Sequence, residues 1–264
     1  MRTLLGTYVE IGTDSEFTIG NSAITAAFEV IENVQQKLSC YDQTSELSKV
    51  NGAFQESIKI SPITATALRL AKYIARASGS AFNFTGGGYL ARQGILPNFS
   101  SKSILDFGNE EDVELRGLTV RLKRPIQLTL DGIAKGLAVD FAVREMKKNG
   151  LTSGWVNAGG DLRVFGELSL PIVRRDEKNN LTDLGSFKNI ALATSSVGAD
   201  QTRFRGHICS DVTIVKEGTW SITAKYAWLA DALTKVSCIV NPSERETIIK
   251  RLNGTVVIPK MMET

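Results

Sequence analysis

One lysine stands between two glycines, at the point where a short strand-like run gives way to a helix-like pattern. The segment is Asp131-Gly-Ile-Ala-Lys-Gly136, which follows residues 126–130 and opens an apolar periodic stretch. Glycine lets a backbone approach a ligand closely, and a lysine adds positive charge to the positive end of a helix dipole. This combination favours an anion near Lys135, most simply a phosphate or pyrophosphate. The alternative is an ordinary strand-to-helix junction, and the local pattern alone favours it.

The composition excludes several classes of protein. The 264 residues are 42% hydrophobic and 22% charged, with a net charge of +3, which fits a globular protein with a sizeable core. No basic run with interleaved aromatic residues indicates nucleic acid, and no stretch is apolar for long enough to span a bilayer. Cys40, Cys209 and Cys238 are too few and too scattered for a disulfide framework or a zinc site. Without a signal peptide, the chain as given is expected to be cytoplasmic, or periplasmic if a leader has been removed.

Helical and strand-like patterns alternate along the chain, with hairpins as well as crossovers. This mixture predicts an α+β fold in one domain over residues 1–264, rather than a regular doubly wound sheet. Helices are expected at 21–38, 62–78, 133–148, 228–235 and after Asn241, with a short one near residues 44–47. Strands are expected at 4–12, 58–60, 103–107, 113–115, 118–122, 126–130, 154–166 with a Gly-Gly interruption, 190–195, 219–224, 236–240 and 255–258. Loops are expected at 39–51, at the glycine-rich 81–89 and at 171–185.

Several short motifs occur in a fixed order, and each is weak alone. They are Leu5-Gly-Thr7, Ser39-Cys-Tyr41 with Ser45-Glu-Leu-Ser-Lys-Val-Asn51, Gly79-Ser-Ala-Phe-Asn-Phe-Thr85, the segment around Lys135 with Asp140, Val156-Asn-Ala-Gly-Gly-Asp161, Ala193-Thr-Ser195, His207-Ile208 and Ala230-Asp-Ala-Leu233. This ordered series resembles the ApbE family of FAD:protein FMN transferases, once called thiamine-biosynthesis lipoproteins. The resemblance covers nearly the whole chain.

The resemblance implies a fold, a reaction and a partner. The family has its own α+β fold, a mixed sheet with flanking helices, and it holds FAD between lobes. A magnesium ion assists cleavage of the FAD pyrophosphate. FMN then passes through its phosphate to a threonine or serine hydroxyl of an acceptor protein, with release of AMP. Attack on a pyrophosphate requires charge neutralisation, an in-line hydroxyl and a group that takes its proton.

The resemblance also implies roles for particular residues. The expected contacts to FAD are Leu5, Tyr41, Ala81, Phe82, Asn83, Thr129, Lys135 and Ile208. Leu5 stands where the family often has a methionine against the flavin, and Lys135 matches the phosphate-binding lysine. Residues 81–83 match a segment lining the isoalloxazine or ribityl region. His207, the single histidine of the chain, is a candidate base or orienting group, and a purely structural histidine is the equal alternative.

Parts of the family pattern are missing near the expected phosphate site. The family often has a carboxylate six residues before the lysine, and this chain has Thr129 there. Asp131 lies two residues further on, and it either compensates or faces elsewhere. The signature that begins at His207 degenerates after Ile208, and Gly86-Gly-Gly88 replaces a segment that contains proline.

The expected metal site departs further from the family. Asp231 is present, but the threonine that accompanies it in the family is replaced by Lys235, and the second acidic position is Trp228. Thr234 lies one residue early, about 100° around the helix, and so does not simply replace the missing threonine. Magnesium prefers hard oxygen ligands, whereas Lys235 puts a cation where a cation should bind.

Three hypotheses about Lys235 follow from this substitution. As a catalytic residue, Lys235 stands in for the metal and neutralises phosphate charge directly. Alternatively, transferase activity has been lost. In the third hypothesis Lys235 points to solvent, and magnesium is held by Asp231, water and a backbone carbonyl near Gly132.

Two functions therefore remain open at the level of sequence. The first is an FAD-binding transferase that attaches FMN to a protein threonine or serine. The second is a non-catalytic flavin-binding or assembly protein on the same fold. The spacing between Asp231 and Lys235 is the feature that separates them.

Overall fold

A computed structural model describes residues 1–14, 17–98, 103–175, 180–198, 208, 210 and 215–258. The α-helices in this part of the chain are α1 Phe17–Leu38, α2 Glu46–Gly52, α3 Pro62–Ala77, α4 Gly87–Arg92, α5 Ala134–Lys148, α6 Ala227–Ile239 and α7 Pro242–Arg251. The strands are β1 Arg2–Leu4, β2 Thr7–Gly12, β3 Ser57–Lys59, β4 Val113–Arg116, β5 Thr119–Leu122, β6 Gly154–Ala158, β7 Asp161–Phe165, β8 Ser169–Arg175, β9 Leu181–Lys188, β10 Ala191–Val197, β11 Gly218–Ala224 and β12 Gly254–Val256. This mixture confirms the predicted α+β class.

The largest sheet in the described ranges has seven antiparallel strands in the order β1-β2-β6-β7-β10-β11-β12. Helix α5 packs on β6 and β7, and α6 packs on β10 and β11. Helix α1 lies along α5, which also contacts α6. A smaller sheet has the order β3-β5-β4, and β8 pairs with β9 as a separate hairpin. The core therefore lies between one face of the large sheet and a layer formed by α1, α5 and α6.

Local sequence signals account for the main helices. The apolar positions of α1 that repeat at helical spacing are buried, among them Ala27, Ile31 and Val34. Helix α3 begins as predicted, because the Ser61 side chain caps the backbone N–H of Thr64 and a proline fills the first turn. Helix α5 ends before Gly150, which adopts φ +89°.

Other predictions were wrong where tertiary contacts override local preference. The triple-glycine segment is not wholly a loop, since two of its glycines begin α4, where a Cβ on Gly88 would collide with the carbonyl oxygen of Leu105. The charged segment 171–185 forms much of the β8–β9 hairpin. Residues 236–240 are no strand, because α6 continues to Ile239. No strand forms over 103–107 or 126–130. Residues 4–12 are not one strand, because β1 ends at Leu4, residues 5–6 form a turn and β2 begins at Thr7.

The extended segment 126–130 is held by single contacts rather than by a ladder. The Asn51 side chain receives a hydrogen bond from the backbone N–H of Leu128 at 2.8 Å and donates one to the carbonyl oxygen of Leu128 at 3.0 Å. The backbone N–H of Thr129 donates to the carbonyl oxygen of Phe84. These hydrogen bonds fix the position of the backbone that leads into the segment around Lys135. No helix in the described residues is long and apolar enough to cross a membrane.

Glu46, the first residue of α2, joins that helix to the start of α3. Its Oε2 accepts hydrogen bonds from the Ser61 backbone N–H at 2.9 Å, from the Ser61 hydroxyl at 2.7 Å and from the Thr64 hydroxyl at 2.6 Å. Its Oε1 lies 3.0 Å from Lys37 Nζ. Burial by itself raises the pKa of Glu46, but these donors outweigh burial and lower the pKa to about 2.

We expect Glu46→Gln to lower the free energy of unfolding at neutral pH by about 1–3 kcal/mol, because a charged acceptor of several hydrogen bonds is lost. Since the folded pKa lies below the ordinary value of 4.5, this stabilisation is present above pH 4.5 and is lost as pH falls toward 2. Urea unfolding of wild type and Glu46→Gln across that pH range measures whether their free energies of unfolding converge as pH falls. Glu29→Gln, at an exposed position of α1, is the control. A difference that stays constant down to pH 2 would contradict the assignment.

Candidate functional site

Most of the predicted site residues line two neighbouring pockets. A cavity of about 640 Å³ is bordered by Leu5, Tyr41, Asp131, Lys135 and Gly159. The second pocket, of about 30 Å³, is lined by Ala81, Phe82, Asn83, Phe84, Thr129, Gly132, Ile208 and Lys235. The short stretch from residue 129 to residue 135 contributes to both pockets. The structure thus brings the residues of distant motifs to one region.

The β1–β2 turn forms one wall of the larger cavity. Leu5 and Gly6 both adopt the left-handed region, with φ 55° and 70°. This conformation is uncommon for leucine, and the backbone N–H of Leu5 donates to the side-chain oxygen of Gln35 in α1. The Thr7 side chain lies against Gly159, where a Cβ would collide with the Thr7 hydroxyl. The turn and the β6–β7 connection are therefore packed together at the cavity.

Tyr41 and Cys40 form another edge of the same cavity. Tyr41 is 54% exposed, and its backbone N–H donates to the Ser39 hydroxyl. Partial burial and the nearby charge of Asp131 raise the pKa of Tyr41 to about 12. Burial, followed by the charge of Asp131, also raises the pKa of the Cys40 thiol to about 12. Both groups are neutral at physiological pH, so this edge offers an aromatic ring and a small apolar surface.

Lys135 lies in the first turn of α5, as the sequence predicts, and its ammonium faces a buried carboxylate. Lys135 Nζ is 3.6 Å from Asp161 Oδ2, and the Asp161 side chain is only 3% exposed. The charge of Asp161, and to a smaller degree those of Asp231 and Asp131, raises the pKa of Lys135 despite its burial. Lys135 is therefore a permanent cation on the wall of the larger cavity.

The pKa of the buried Asp161 carboxyl is raised. Burial raises its pKa, the charge of Asp231 raises it further, and Lys135 and Lys235 only partly oppose them, which leaves the pKa at about 6. Its Oδ2 atom is buried and accepts no hydrogen bond from any described residue. Sequence reasoning quoted Asp161 in a motif but gave it no role. The available signal was the Gly-Gly turn before it, which places the carboxylate at the start of a strand.

Lys235 points into the protein, so the hypothesis that it faces solvent was wrong. Its Nζ atom donates to Asp231 Oδ1 at 2.6 Å, to the Ser195 hydroxyl at 2.9 Å and to the Thr234 hydroxyl at 3.2 Å. The Asp231 side chain is fully buried, whereas that of Lys235 is 16% exposed. The other oxygen of Asp231 accepts from the backbone N–H of Gly136 at 3.2 Å. Both oxygens of the predicted metal ligand are therefore already engaged.

The hydroxyls of Thr234 and Ser195 complete this cluster, and sequence reasoning gave neither a site role. Although Thr234 is one residue early on α6, its hydroxyl lies 2.7 Å from that of Ser195 and donates to the carbonyl oxygen of Asp231. Ser195 reaches the cluster from β10, which packs against α6. Its place in the motif that ends at residue 195 was the available sequence signal. Trp228, at the second acidic position of the family, instead packs edge-on against the ring of Tyr73.

The remaining predicted residues line the two pockets or lie outside the described residues. Thr129 is buried and lines the smaller pocket, whereas Asp131 lines the larger cavity, so the two positions face different spaces. The Asn83 side chain is turned inward, where it accepts from the backbone N–H and hydroxyl of Thr85. Ile208 borders the smaller pocket. His207 lies outside the described residues, and its proposed role stays a prediction.

The donor set around Asp231 does not fit a divalent metal as it stands. The Lys235 ammonium is within hydrogen-bond distance of the carboxylate oxygen that would bind the ion, and a second cation there would be repelled. Among the described residues, no group of three or more His, Cys, Asp or Glu side chains is placed to hold a metal ion. Magnesium at Asp231 and Gly132 therefore requires that Lys235 move away.

Comparison with known proteins agrees with the resemblance that the sequence motifs indicate. The ApbE family model matches residues 5–258. The chain belongs to the ApbE family. No curated protein matches the chain.

Solved ApbE structures share the fold at low sequence identity. The flavin transferase ApbE from Vibrio cholerae has a TM-score of 0.80 at 20% identity, over 98% of this chain and 92% of the other. The ApbE protein from Thermotoga maritima has a TM-score of 0.75 at 21% identity, over 94% and 88%. The flavinyl transferase ApbE from Pseudomonas stutzeri, in its apo form, has a TM-score of 0.74 at 15% identity, over 93% and 88%. The predicted ApbE membership and fold are confirmed.

Asp140 holds the start of α6 in position for this ApbE site. Its Oδ1 accepts from the backbone N–H of Ala227 at 3.1 Å, and its Oδ2 accepts from that of Trp228 at 2.9 Å. The Arg163 guanidinium forms an ion pair with the same carboxylate. Helix α6 has no side-chain cap of its own, so a residue of α5 supplies it. Asp231 and Lys235 lie one and two turns further along α6.

We expect Asp140→Asn to lower the free energy of unfolding by about 3 kcal/mol, because it leaves Arg163 without its buried partner and weakens the cap. Urea unfolding at neutral pH measures the change. Glu56→Gln, at an exposed carboxylate, is the matched control and should have little effect. Equal stability of Asp140→Asn and wild type would show that the cap contributes little to holding α6.

Proposed function

We propose that this ApbE protein is an FAD:protein FMN transferase. It binds FAD, transfers FMN through its phosphate to a threonine or serine hydroxyl of an acceptor protein, and releases AMP. Membership of the ApbE family over residues 5–258 supports transferase activity, as does the fold shared with proteins described as flavin transferases. The observation that carries the proposal is the 640 Å³ cavity with the Lys135 ammonium on its wall. A cavity of this size accommodates a nucleotide-sized ligand.

In this proposal FAD extends across both pockets. Leu5, Tyr41 and Lys135 contact it from the larger cavity, and the segment 81–83, Thr129 and Ile208 contact it from the smaller one. Lys135 lies beside the stretch 129–132 that both pockets share, so its charge falls on the pyrophosphate. The N-terminus of α5 and Lys235 were also expected to attract phosphate, but both already interact with Asp231. The backbone N–H of Gly136 donates to one oxygen of Asp231, and the Lys235 ammonium donates to the other.

The transfer step exchanges one phosphorus–oxygen bond for another. The acceptor hydroxyl oxygen attacks the phosphorus of the FMN half, and the bond to the AMP oxygen breaks with its electron pair. The hydroxyl proton passes to a base, for which His207 is the proposed residue. Negative charge grows on the phosphate oxygens during attack, and Lys135 stabilises it electrostatically. A bound magnesium ion would supply further charge neutralisation, but the residues around Asp231 do not fit one as arranged.

A second candidate function has one specific observation in its favour. The Lys235 ammonium is hydrogen-bonded to Asp231, the carboxylate expected to bind the metal ion that assists catalysis. A protein that has lost transferase activity tolerates a lysine at this position. In that case the chain binds FAD, or assists flavoprotein assembly, without transferring FMN. FAD binding without transfer distinguishes this function from the first.

Intact mass spectrometry tests the transferase. The protein is incubated with FAD, with and without magnesium, and with an acceptor domain carrying a threonine or serine to be flavinylated. We expect the acceptor to gain the mass of one FMN esterified through phosphate. Bound FAD with an unmodified acceptor under every metal condition would favour the non-catalytic function, and absence of FAD binding would contradict both.

We expect Lys135→Ala to weaken FAD binding by about ten- to a hundredfold, because a charge-assisted interaction with phosphate contributes about 1.5–3 kcal/mol. Flavin fluorescence titration measures the affinity. Lys135→Arg should recover part of it, since the charge is kept, and a thermal melt separates lost binding from lost folding. Lys148→Ala removes an exposed lysine of the same helix and is the control. Wild-type affinity in Lys135→Ala would remove Lys135 from the phosphate site.

A further inference from the structure

The cluster around Lys235 has the composition of a cation site built from hard oxygen atoms. The ammonium is bound by one carboxylate oxygen of Asp231 and by the hydroxyls of Ser195 and Thr234, at 2.6–3.2 Å. Carboxylate and hydroxyl oxygens are the ligands that magnesium prefers. The oxygens converge on a single point, and that point is occupied by a side chain of the protein.

A second, independent feature is the buried oxygen of Asp161. Its Oδ2 accepts no hydrogen bond from a described residue, and the nearest cation is Lys135 Nζ at 3.6 Å. Asp161 also interacts electrostatically with both Asp231 and Lys235, so it belongs to the same charge cluster. Two buried carboxylates share this region with two lysines. Removing one lysine would leave the carboxylates short of positive charge, a situation that a divalent ion would relieve.

The backbone also leaves room for this particular lysine. A Cβ on Gly132 would lie 3.3 Å from Lys235 Cγ and 2.9 Å from Phe82 Cε2. The stem of Lys235 therefore passes beside a position that has no side chain, on its way from α6 to the cluster. Because Asp231 and Lys235 are four residues apart on α6, the helix itself brings their charges together.

We propose that the Lys235 ammonium occupies a position where the surrounding oxygen atoms would otherwise bind a divalent metal ion, so that this protein binds FAD without magnesium. Part of the proposal, the binding of FAD, rests on the proposed function; the occupation of the metal position does not. The ammonium carries one positive charge rather than two and is fixed by three oxygen atoms. It forms a direct ion pair with Asp231 and repels a metal ion from solution. Replacing Lys235 by a neutral oxygen-bearing residue opens the position to Mg²⁺ or Mn²⁺.

The first experiment uses the full chain without nucleotide. Isothermal titration with MgCl₂, and Mn²⁺ binding followed by electron paramagnetic resonance, are run on wild type and Lys235→Thr. We expect no specific binding by wild type and one divalent ion bound per chain by Lys235→Thr, whose hydroxyl joins those of Ser195 and Thr234. Lys148→Thr, at an exposed lysine, controls for the loss of a positive charge and should behave as wild type.

Two outcomes of this titration would overturn the proposal. One is stoichiometric binding of Mg²⁺ to wild type that Lys235→Thr leaves unchanged. The other is a folded Lys235→Thr protein, verified by circular dichroism, that binds no divalent ion. If Lys235→Thr does not fold, Lys235→Gln keeps the side-chain length and an amide oxygen, and the same expectation applies to it.

The second experiment asks whether FAD binding depends on metal. Flavin fluorescence titrations are made with excess EDTA and with millimolar MgCl₂. We expect equal affinities for wild type in both buffers, and an affinity for Lys235→Thr that rises about tenfold with magnesium, which corresponds to about 1.4 kcal/mol. A tenfold magnesium dependence of wild type would contradict the proposal. If no variant binds FAD at all, the proposed function fails, while the metal titration still decides the role of Lys235.

Discussion

The site depends on the contact between the first turns of α5 and α6. Gly136 lies against Ala227 so closely that a Cβ there would collide with the Ala227 carbonyl oxygen. Across this contact the Gly136 N–H donates to Asp231, and one turn further along α5 Asp140 caps the start of α6. The two helices thus exchange hydrogen bonds in both directions. This junction places Lys135 of one helix and Lys235 of the other around the same buried carboxylates.

Electrostatic balance limits what this region can bind. Asp131, Asp161 and Asp231 bring three carboxylates to the neighbourhood of two lysines. Burial and the charge of Asp231 raise the pKa of Asp161, so Asp161 retains its proton to higher pH than an ordinary carboxyl. An anionic ligand must therefore meet Lys135 from the open side of the large cavity, away from the buried acids.

Sequence patterns predicted elements correctly where local physics decides them. The serine cap and proline at the start of α3 and the glycine after α5 act within a few residues, so their outcome does not depend on the rest of the fold. The Gly-Gly turn between β6 and β7 belongs to the same class. Predictions failed where distant contacts intervened. Gly87 and Gly88 lie in α4 rather than in a loop, at positions where neighbouring backbone leaves no space for a Cβ. Residues 236–239 stay in α6, which is buried along that length.

The sequence by itself determined membership of the ApbE family, the α+β class and the group of residues around Lys135. The ordered motifs and the residues that end helices can be identified in the sequence, because each depends on residues that are neighbours along the chain. Only the tertiary structure decided where Lys235 points and that Asp161, Ser195 and Thr234 share its cluster. A side chain four residues from a carboxylate can face solvent or pair with it, and the choice depends on burial and on oxygens contributed by β10, about forty positions earlier in the chain.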